Sequence, residues 1–205
     1  MLVSFPFVAT HSHFSLRRDR KEFIRTAPVI KLPDGAGEER HLELLGVLNS
    51  SAAGFWLKQV CQGKGNRGGE RSTGRCAWEE YYEFTGTKLQ EFPLPKQLPL
   101  ALGRELDTLA QLSAKHEPSA VARAAVPTRK ALDKARGAHE QVRARMIAMQ
   151  EELDWAVYGA YGLLTPDEVA RATTSDPPEA ARLNASHGDP YPLARGLPEG
   201  HPVPG

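Results

Sequence analysis

Hydrophobic residues occupy every second position at the start of the chain, a pattern typical of half-buried strands. Val3, Phe5 and Phe7 alternate with smaller residues, and the segment 22–33, EFIRTAPVIKLP, is rich in β-branched and apolar residues. We therefore expect two strands, with a turn at 17–21, RRDRK, between them. The strand pattern begins with no lead-in, which suits a fragment whose true beginning lies elsewhere.

Helical periodicity follows the strand segment. Apolar residues recur at steps of three and four from Leu44 to Val60, and Asn49-Ser50-Ser51 interrupts them. Because Asn and Ser are preferred N-cap residues, the interruption predicts two helices, the second beginning at these residues. We expect Phe55 and Trp56 to anchor the helix pair against the strands.

Two longer helices are predicted beyond Leu98. The first is amphipathic and ends at Pro118, and the second opens near Pro127-Thr128 and ends before a glycine cap at Gly162. Apolar or near-apolar residues in the second helix alternate in steps of three and four, as in the seam of a coiled coil. This seam consists of Leu132, Ala135, His139, Val142, Met146, Met149, Leu153, Ala156 and Ala160.

Two short helices complete the pattern. The segment WEEYYEFTGTKLQEFPLP, residues 78–95, predicts a short strand, a turn at Thr85-Gly86 and a short helix. The sequence TPDE at 165–168 has the order of a capping box and predicts one more helix.

The predicted fold class is therefore α+β, with three parts. Residues 1–97 are expected to form a small mixed β-layer with packed helices. Residues 98–172 are expected to form a long antiparallel helical hairpin of coiled-coil character. Residues 173–205 are Pro-rich and lack apolar periodicity, so we expect a disordered tail.

The net charge of +1 conceals an uneven distribution along the chain. Residues 1–75 contain twelve Lys/Arg and seven Asp/Glu, whereas residues 76–205 contain fourteen and eighteen. The front is thus +5 and the back −4, and a basic front suggests a polyanionic partner. Cys61 and Cys76 are too few for a disulfide framework, and no apolar run approaches about 18 residues. We therefore expect a cytoplasmic chain without a membrane segment.

A basic, glycine-rich segment follows the helix pair. Five glycines lie between 63 and 74, where Glu70 is the only acid. Glycine lets the backbone approach a ligand closely, and Arg forks suit phosphates and guanine edges, so the segment predicts contact with DNA. The alternative is an ordinary solvated loop. The predicted DNA-binding residues are Arg17, Arg18, Lys58, Lys64, Arg67, Arg71, Arg75 and Tyr81.

Three other motifs do not predict a catalytic, cofactor-binding or metal-binding residue. Residues 63–68 match G-x-G-x-x-G, but a dinucleotide site needs that motif between a strand and a helix, and here it follows a helix. DPPE at 176–179 and DPYP at 189–192 lack the aromatic that follows the second proline in base-flipping methyltransferases. His11 and His13 have no acidic or thiol partner nearby, which favours a half-buried strand pair over a metal site.

Several segments resemble a known family. FPFVATHSHF, RTAPVIKLP, LLGVLNSSAAGFWLKQVCQGKG, YYEFTGTKLQEFPLP and QEELDWAVYGAYGLL resemble the C-terminal region of adenine-specific DNA methyltransferases of the phage-growth-limitation (BREX) class. These enzymes are related to the large type II restriction–modification methylases. In that family this region holds the target-recognition domain and a helical segment. The resemblance implies binding of double-stranded DNA during methyl transfer from S-adenosylmethionine to adenine N6.

The chain lacks two motifs that such an enzyme needs. Neither a glycine-rich S-adenosylmethionine motif after a strand nor an N/D-P-P-Y/F motif is present. The resemblance therefore implies a detached specificity portion, with S-adenosylmethionine bound by a separate catalytic domain or subunit. The alternative function is a coiled-coil module that docks such a catalytic subunit.

Overall fold

The computed structural model describes residues 1–18, 26–64 and 81–173. The strands in these ranges are Leu2–Ser4 (β1), Val8–Ala9 (β2), Ser15–Arg17 (β3), Val29–Ile30 (β4), Gln62–Gly63 (β5) and Tyr82–Glu83 (β6). The helices are Glu38–Leu48 (α1), Ser51–Val60 (α2), Gly86–Gln90 (α3), Leu100–Lys115 (α4), Pro118–Ala124 (α5), Arg129–Ala160 (α6) and Pro166–Thr173 (α7). The predicted α+β class is confirmed.

The chain divides into two compact units. The sheet-containing unit consists of Met1–Thr108 and Met149–Thr174, and the helical unit contains Leu109–Ala148. The domain boundaries predicted after residues 97 and 172 stay predictions. The predicted disordered tail lies, apart from its first residue, outside the described residues.

Two three-stranded sheets form the β-structure of the sheet-containing unit. In sheet A, β1 lies between β3 and β4, and Val3 pairs with Leu16 on one side and Ile30 on the other. In sheet B, β6 lies between β2 and β5. The sequence predicted a mixed layer, but every strand pair among the described residues is antiparallel. The turn predicted at 17–21 is wrong at its first residue, because Arg17 is in β3.

The Asn-Ser-Ser interruption divides two helices, as predicted. α1 ends at Leu48, and α2 begins at Ser51 with Ser50 as its N-cap. The Ser50 hydroxyl oxygen accepts a hydrogen bond from the Ala53 amide (3.2 Å) and donates to the Val47 carbonyl (2.6 Å). The first amides of a helix have no partner within it, so this buried side chain satisfies one that would otherwise lack a bond.

The core of the sheet-containing unit lies between its sheets and helices. Trp56 is partly buried there, and its ring meets Phe92 edge-on with centroids 5.3 Å apart. The prediction that Phe55 is a second anchor is wrong, because Phe55 is 69% exposed. At 100° per residue it lies on the opposite face of α2 from the fully buried Ala53 and Leu57. The buried core residues are Val3, Phe5, Phe14, Leu42, Leu45, Val47, Leu48, Ala53, Leu57, Cys61, Phe84, Phe92, Leu153 and Val157.

The start and end of α6 agree with the sequence prediction. The Thr128 hydroxyl accepts a hydrogen bond from the Ala131 amide (3.2 Å) at the first turn. Gly162 has a φ of +69°, the left-handed conformation that glycine adopts without strain. Its amide donates to the Gly159 carbonyl, and the Leu163 amide donates to Tyr158, both at 2.9 Å. These two bonds are the Schellman motif that closes a helix.

The boundaries of the shorter helices are partly as predicted. The capping box of α7 is confirmed: the Glu168 carboxylate accepts from the Thr165 amide (2.8 Å), and the Thr165 hydroxyl accepts from the Glu168 amide (3.4 Å). The predicted turn at Thr85 is instead the N-cap of α3. α4 ends at Lys115, shortly before Pro118, in agreement with the prediction. Pro118 is also the first residue of α5, a helix that the sequence did not predict, where its fixed φ suits the helix.

The predicted seam of α6 is partly buried in the structure. Ala135, Val142 and Leu153 are buried, and the other six seam residues are half-buried. The six half-buried residues retain part of their solvent-accessible surface, so the seam is only partly packed within this chain.

Candidate nucleic-acid interface

The strands β5 and β6 flank residues 65–80, which include most of the basic segment 62–75, and hold the two ends of this stretch next to each other. They are antiparallel neighbours, with Gln62 opposite Glu83 and Gly63 opposite Tyr82. The pairing continues beyond the strands, because the Lys64 amide donates to the Tyr81 carbonyl (2.6 Å). Residues 65–80, which join the strands, lie outside the described residues, as do the predicted contacts Arg67, Arg71 and Arg75. The structure thus fixes where this segment starts and ends.

Two lysines that were predicted to bind DNA lie against aromatic rings, one in sheet B and one directly before β2. Lys58 Nζ is 5.6 Å from the centre of the Tyr82 ring, and Lys64 Nζ is 5.4 Å from the centre of the Phe7 ring. At these distances an ammonium group is attracted to the negative face of the ring. Lys58 is on the last turn of α2 and Lys64 directly follows β5, so both cations lie near the base of the segment.

A carboxylate shares this site with the lysines. Lys64 Nζ forms an ion pair with Glu83 Oε2 at 2.9 Å, and both side chains retain solvent contact, with 52% and 30% of their surfaces exposed. Such an exposed pair contributes little to stability and can be exchanged for another anion. Lys64 can therefore bind a phosphate and lose only its weak ion pair with Glu83.

The two adjacent tyrosines have different environments. Tyr81 is 43% exposed, whereas the half-buried Tyr82 ring stacks on the core residue Phe84 with centroids 6.4 Å apart. An exposed ring at the end of the segment is suited to stacking on a base. The structure therefore places Lys64 next to Tyr81, whereas Lys58 lies against Tyr82, whose side chain points to the opposite face of the strand from that of Tyr81.

Arg17 and Arg18 belong to a different part of the sheet-containing unit. Arg18 contacts two carboxylates, with Nη2 2.6 Å from Glu38 Oε1 and 2.6 Å from Asp107 Oδ2. The hydrogen bond to Asp107 is the main reason that the pKa of Arg18 is raised. Arg17 is half-buried in β3, opposite Leu2. Their role in DNA binding stays a prediction, but Arg18 already has local counterions.

The other motifs acquire a structural context. Gly63, the first glycine of the G-x-G-x-x-G match, is in β5, whose partner β6 is antiparallel and not the parallel strand of a dinucleotide-binding unit. His11 and His13 lie between β2 and β3 and are exposed, so their interpretation as a half-buried strand pair is wrong.

In the ranges 1–18, 26–64 and 81–173, no three His, Cys, Asp or Glu residues are grouped as metal ligands. No helix in those ranges combines the length and apolarity needed to cross a membrane.

Comparison with known proteins identifies a relative. The chain is 54% identical over 168 residues to the adenine-specific methyltransferase PglX of Streptomyces coelicolor (strain ATCC BAA-471 / A3(2) / M145). The chain is similar to a part of an adenine-specific methyltransferase. The match includes 80% of this chain but only 14% of the relative, so the chain spans about one seventh of that protein. No protein-family model and no solved structure matches it.

This similarity supports the family predicted from the sequence. Two of the segments that resemble that family, LLGVLNSSAAGFWLKQVCQGKG and QEELDWAVYGAYGLL, also contact each other in the structure. Asp154 Oδ1 accepts a hydrogen bond from the Ser51 amide (2.7 Å), and the Tyr158 and Ser51 hydroxyl oxygens are 2.6 Å apart. Gln150 Nε2 donates to the Asn49 carbonyl (3.2 Å). α6 thus supplies a carboxylate to the first turn of α2, where unpaired amides favour an anion. Burial nevertheless raises the pKa of Asp154.

Asn49 joins the same turn to the β-structure. Its Oδ1 accepts from the Phe14 amide (2.8 Å) and its Nδ2 donates to the Phe14 carbonyl (3.0 Å), as a neighbouring strand would. Sequence reasoning identified the cap at Ser50 but missed this contact. Because α2 carries Lys58 and leads directly into β5, these bonds position the helix that supports the candidate interface.

Proposed function

We propose that the chain is the DNA-sequence-recognition portion of an N6-adenine DNA methyltransferase that acts in phage defence. The observation that carries the proposal is the bond between Lys64 and Tyr81, which brings together both ends of a segment rich in glycine and arginine. The similarity to an adenine-specific methyltransferase supports the same function, since such an enzyme must bind DNA. Residues 1–97 would act as its target-recognition domain.

In this proposal, the basic segment reads DNA and the rest of the sheet-containing unit holds it in place. Arg67, Arg71 and Arg75 contact phosphates and guanine edges, since a guanidinium fork matches both. Lys58 and Lys64 contact the flanking phosphates from the base of the segment. Each neutralised phosphate releases condensed counterions, so binding weakens as salt rises.

Methyl transfer would be carried out by another part of the protein or by a partner subunit. That part would bind S-adenosylmethionine and hold the extruded adenine, because the motifs for both tasks are not in this sequence. A role on cellular DNA implies a cytoplasmic location. The alternative is a coiled-coil docking module built on the long helical hairpin; it has less support, because its seam is already partly buried within this chain.

The test is a titration of the purified chain with fluorescently labelled duplex DNA, followed by anisotropy between about 50 and 200 mM salt. Replacing Arg67, Arg71 and Arg75 with Ala should lower the magnitude of the slope of log K against log salt by about 2.7, since each phosphate contact contributes about 0.9.

The matched control replaces three exposed arginines elsewhere in the sheet-containing unit: Arg40, Arg104 and Arg171. Exposed ion pairs contribute little to stability, so this variant should fold and keep the wild-type slope. Affinity that is independent of salt, or an equal effect of both triple substitutions, would contradict the proposal.

A further inference from the structure

Residues 109–148 of the helical unit carry a net positive charge. This charge is not visible when the sequence is divided after residue 75, because residues 76–205 together are negative. Residues 109–148 contain eight Lys/Arg and three Asp/Glu, a net charge of +5. The described residues of the sheet-containing unit contain ten Lys/Arg and thirteen Asp/Glu, a net charge of −3. Among the described residues, the sheet-containing unit is thus acidic, whereas residues 109–148 are strongly basic.

Part of this charge lies along one face of α6. Lys130, Lys134, Gln141 and Arg145, here called the cationic face, lie within an arc of about 60° over a length of about 22 Å. All four are exposed. Lys130 and Lys134 form no ion pair with another described residue. The acid nearest to them in sequence, Asp133, pairs with Arg129 at 3.0 Å.

The arrangement does not favour the stability of the helix. α6 has no acidic residue in its first turn, and Arg129 and Lys130 are placed there instead. Cations at a helix N-terminus oppose the macrodipole. Lys130 and Lys134 are like charges at i and i+4, which also disfavours the helix. A face that only kept the helix hydrated would instead alternate charges of both signs.

Small and polar residues separate the cations. Gly137 lies about 20° outside this arc, next to Lys130, and a Cβ placed on it would meet no other atom within 4 Å. The exposed Gln141 is the longest side chain between Lys134 and Arg145 on this face. A membrane-binding helix would present large apolar residues beside its cations, and a protein interface would present aromatic or aliphatic anchors. The face has neither, but it would let a rigid polyanion approach closely.

We propose that the cationic face of α6 is a second DNA-binding surface, which contacts the phosphate backbone of duplex DNA without reading its sequence. The identity of the polyanion rests on the proposed function; the surface itself does not depend on the basic segment 62–75. Exposed lysines on a regular helix supply point charges to phosphates and no base-specific geometry. This surface would add affinity and set the orientation of the chain on DNA.

The test compares the full chain with the double variant Lys130→Gln, Lys134→Gln, using a labelled duplex of random sequence across a salt series. Gln keeps a high helix propensity, so the helix should form in both. The magnitude of the salt slope should fall by about 1.8, and the affinity near 0.1 M salt should fall by up to about 60-fold. The matched control, Lys31→Gln with Lys96→Gln, removes the same charge from the sheet-containing unit and should keep the wild-type slope.

A second variant separates binding from folding. Lys130→Glu places an acid in the first turn of α6, so it should raise the melting temperature while it weakens DNA binding. A loss of binding in a more stable protein cannot result from unfolding. Wild-type affinity and slope in both Lys130 variants would overturn the inference.

The outcomes also distinguish the two proposals. If only the Arg67, Arg71 and Arg75 variant loses binding, the proposed function stands and the cationic face is refuted. If only the Lys130 and Lys134 variant loses binding, the face is supported and the basic segment is not the DNA contact. Binding of anionic phospholipid vesicles that requires Lys130 and Lys134, without DNA binding, would overturn the inference in favour of a membrane surface.

Discussion

Replacing Gly103 with Ala tests a close backbone approach between α1 and α4 in the sheet-containing unit. A Cβ on Gly103 of α4 would lie 2.6 Å from the carbonyl oxygen of Leu42 in α1, and 3.6 Å from the Cα of Gly46. Both neighbours are backbone atoms of a helix, so neither can rotate away as a side chain would. To restore a separation of 3.0–3.4 Å, the two helices would have to move apart locally by 0.4–0.8 Å.

The expected change in the free energy of unfolding of Gly103→Ala follows from two opposing contributions. Overpacking of a well-packed interior destabilises by about 1–3 kcal/mol, and backbone contacts that cannot relax lie towards the upper end. Gly→Ala within a helix stabilises by up to about 1 kcal/mol. We therefore expect Gly103→Ala to lower the free energy of unfolding by about 1–2 kcal/mol.

Gly54→Ala is the matched control, because Gly54 lies inside α2 of the same unit. There, a Cβ would meet only the Ser12 hydroxyl oxygen, at an ordinary distance of 3.9 Å. The same substitution should therefore stabilise by about 0.5–1 kcal/mol. Urea titration followed by tryptophan fluorescence is the suitable assay, since Trp56 and Trp155 belong to this unit. If Gly103→Ala were as stable as the wild type or more so, the close approach of α1 and α4 would be refuted.

Three further sets of substitutions test the contacts around α2 and sheet B. Asn49→Ala removes both bonds to the Phe14 backbone and should lower the free energy of unfolding by about 1–3 kcal/mol in the same titration; an unchanged value would mean that the two bonds contribute nothing. Asp154→Asn keeps an acceptor for the helix amide but removes the charge. Because burial raises the pKa of Asp154, the folded wild type loses stability as pH rises from the ordinary value of 3.8 through the raised one. The Asn variant should therefore match the wild type below pH 3.8 and exceed its stability at neutral pH, and the opposite order would show that the charge assists folding. Lys64→Gln should weaken binding of random-sequence duplex DNA by up to about eightfold near 0.1 M salt, while Glu83→Gln should strengthen it; changes of the same sign would contradict a DNA contact at this pair.

The features that the sequence predicted correctly depend on short-range chemistry. The cap at Ser50, the glycine closure at Gly162 and the box formed by Thr165 and Glu168 each involve residues at most five positions apart. At that range the backbone geometry of a helix decides which groups meet, so residue type and spacing are sufficient.

The features that the sequence did not predict depend on the tertiary fold. Phe55 and Trp56 are adjacent and similar, and only the tertiary packing of α2, which brings the Trp56 ring against Phe92, decides which of them is buried. Asn49 and Phe14 are 35 residues apart, and Asp154 and Ser51 are 103 apart. No local pattern selects such partners. The candidate site was partly predictable for the same reason: Lys64 follows from the composition of its segment, whereas its ring contact and its pairing with Glu83 require the sheet.

Charge shows most clearly why linear windows mislead in this chain. Cutting the sequence after residue 75 places the positive charge in the front half and directs attention to the glycine-rich segment. The fold instead groups residues 109–148 apart from the acidic end of α6, which contains Glu151, Glu152 and Asp154. In a sequence window that contains both the basic start of α6 and this acidic end, the positive and negative charges cancel, and the net charge reveals neither. Because DNA responds to charge within about a Debye length of its phosphates, the electrostatic argument has to be made for each folded unit and not for each half of the sequence.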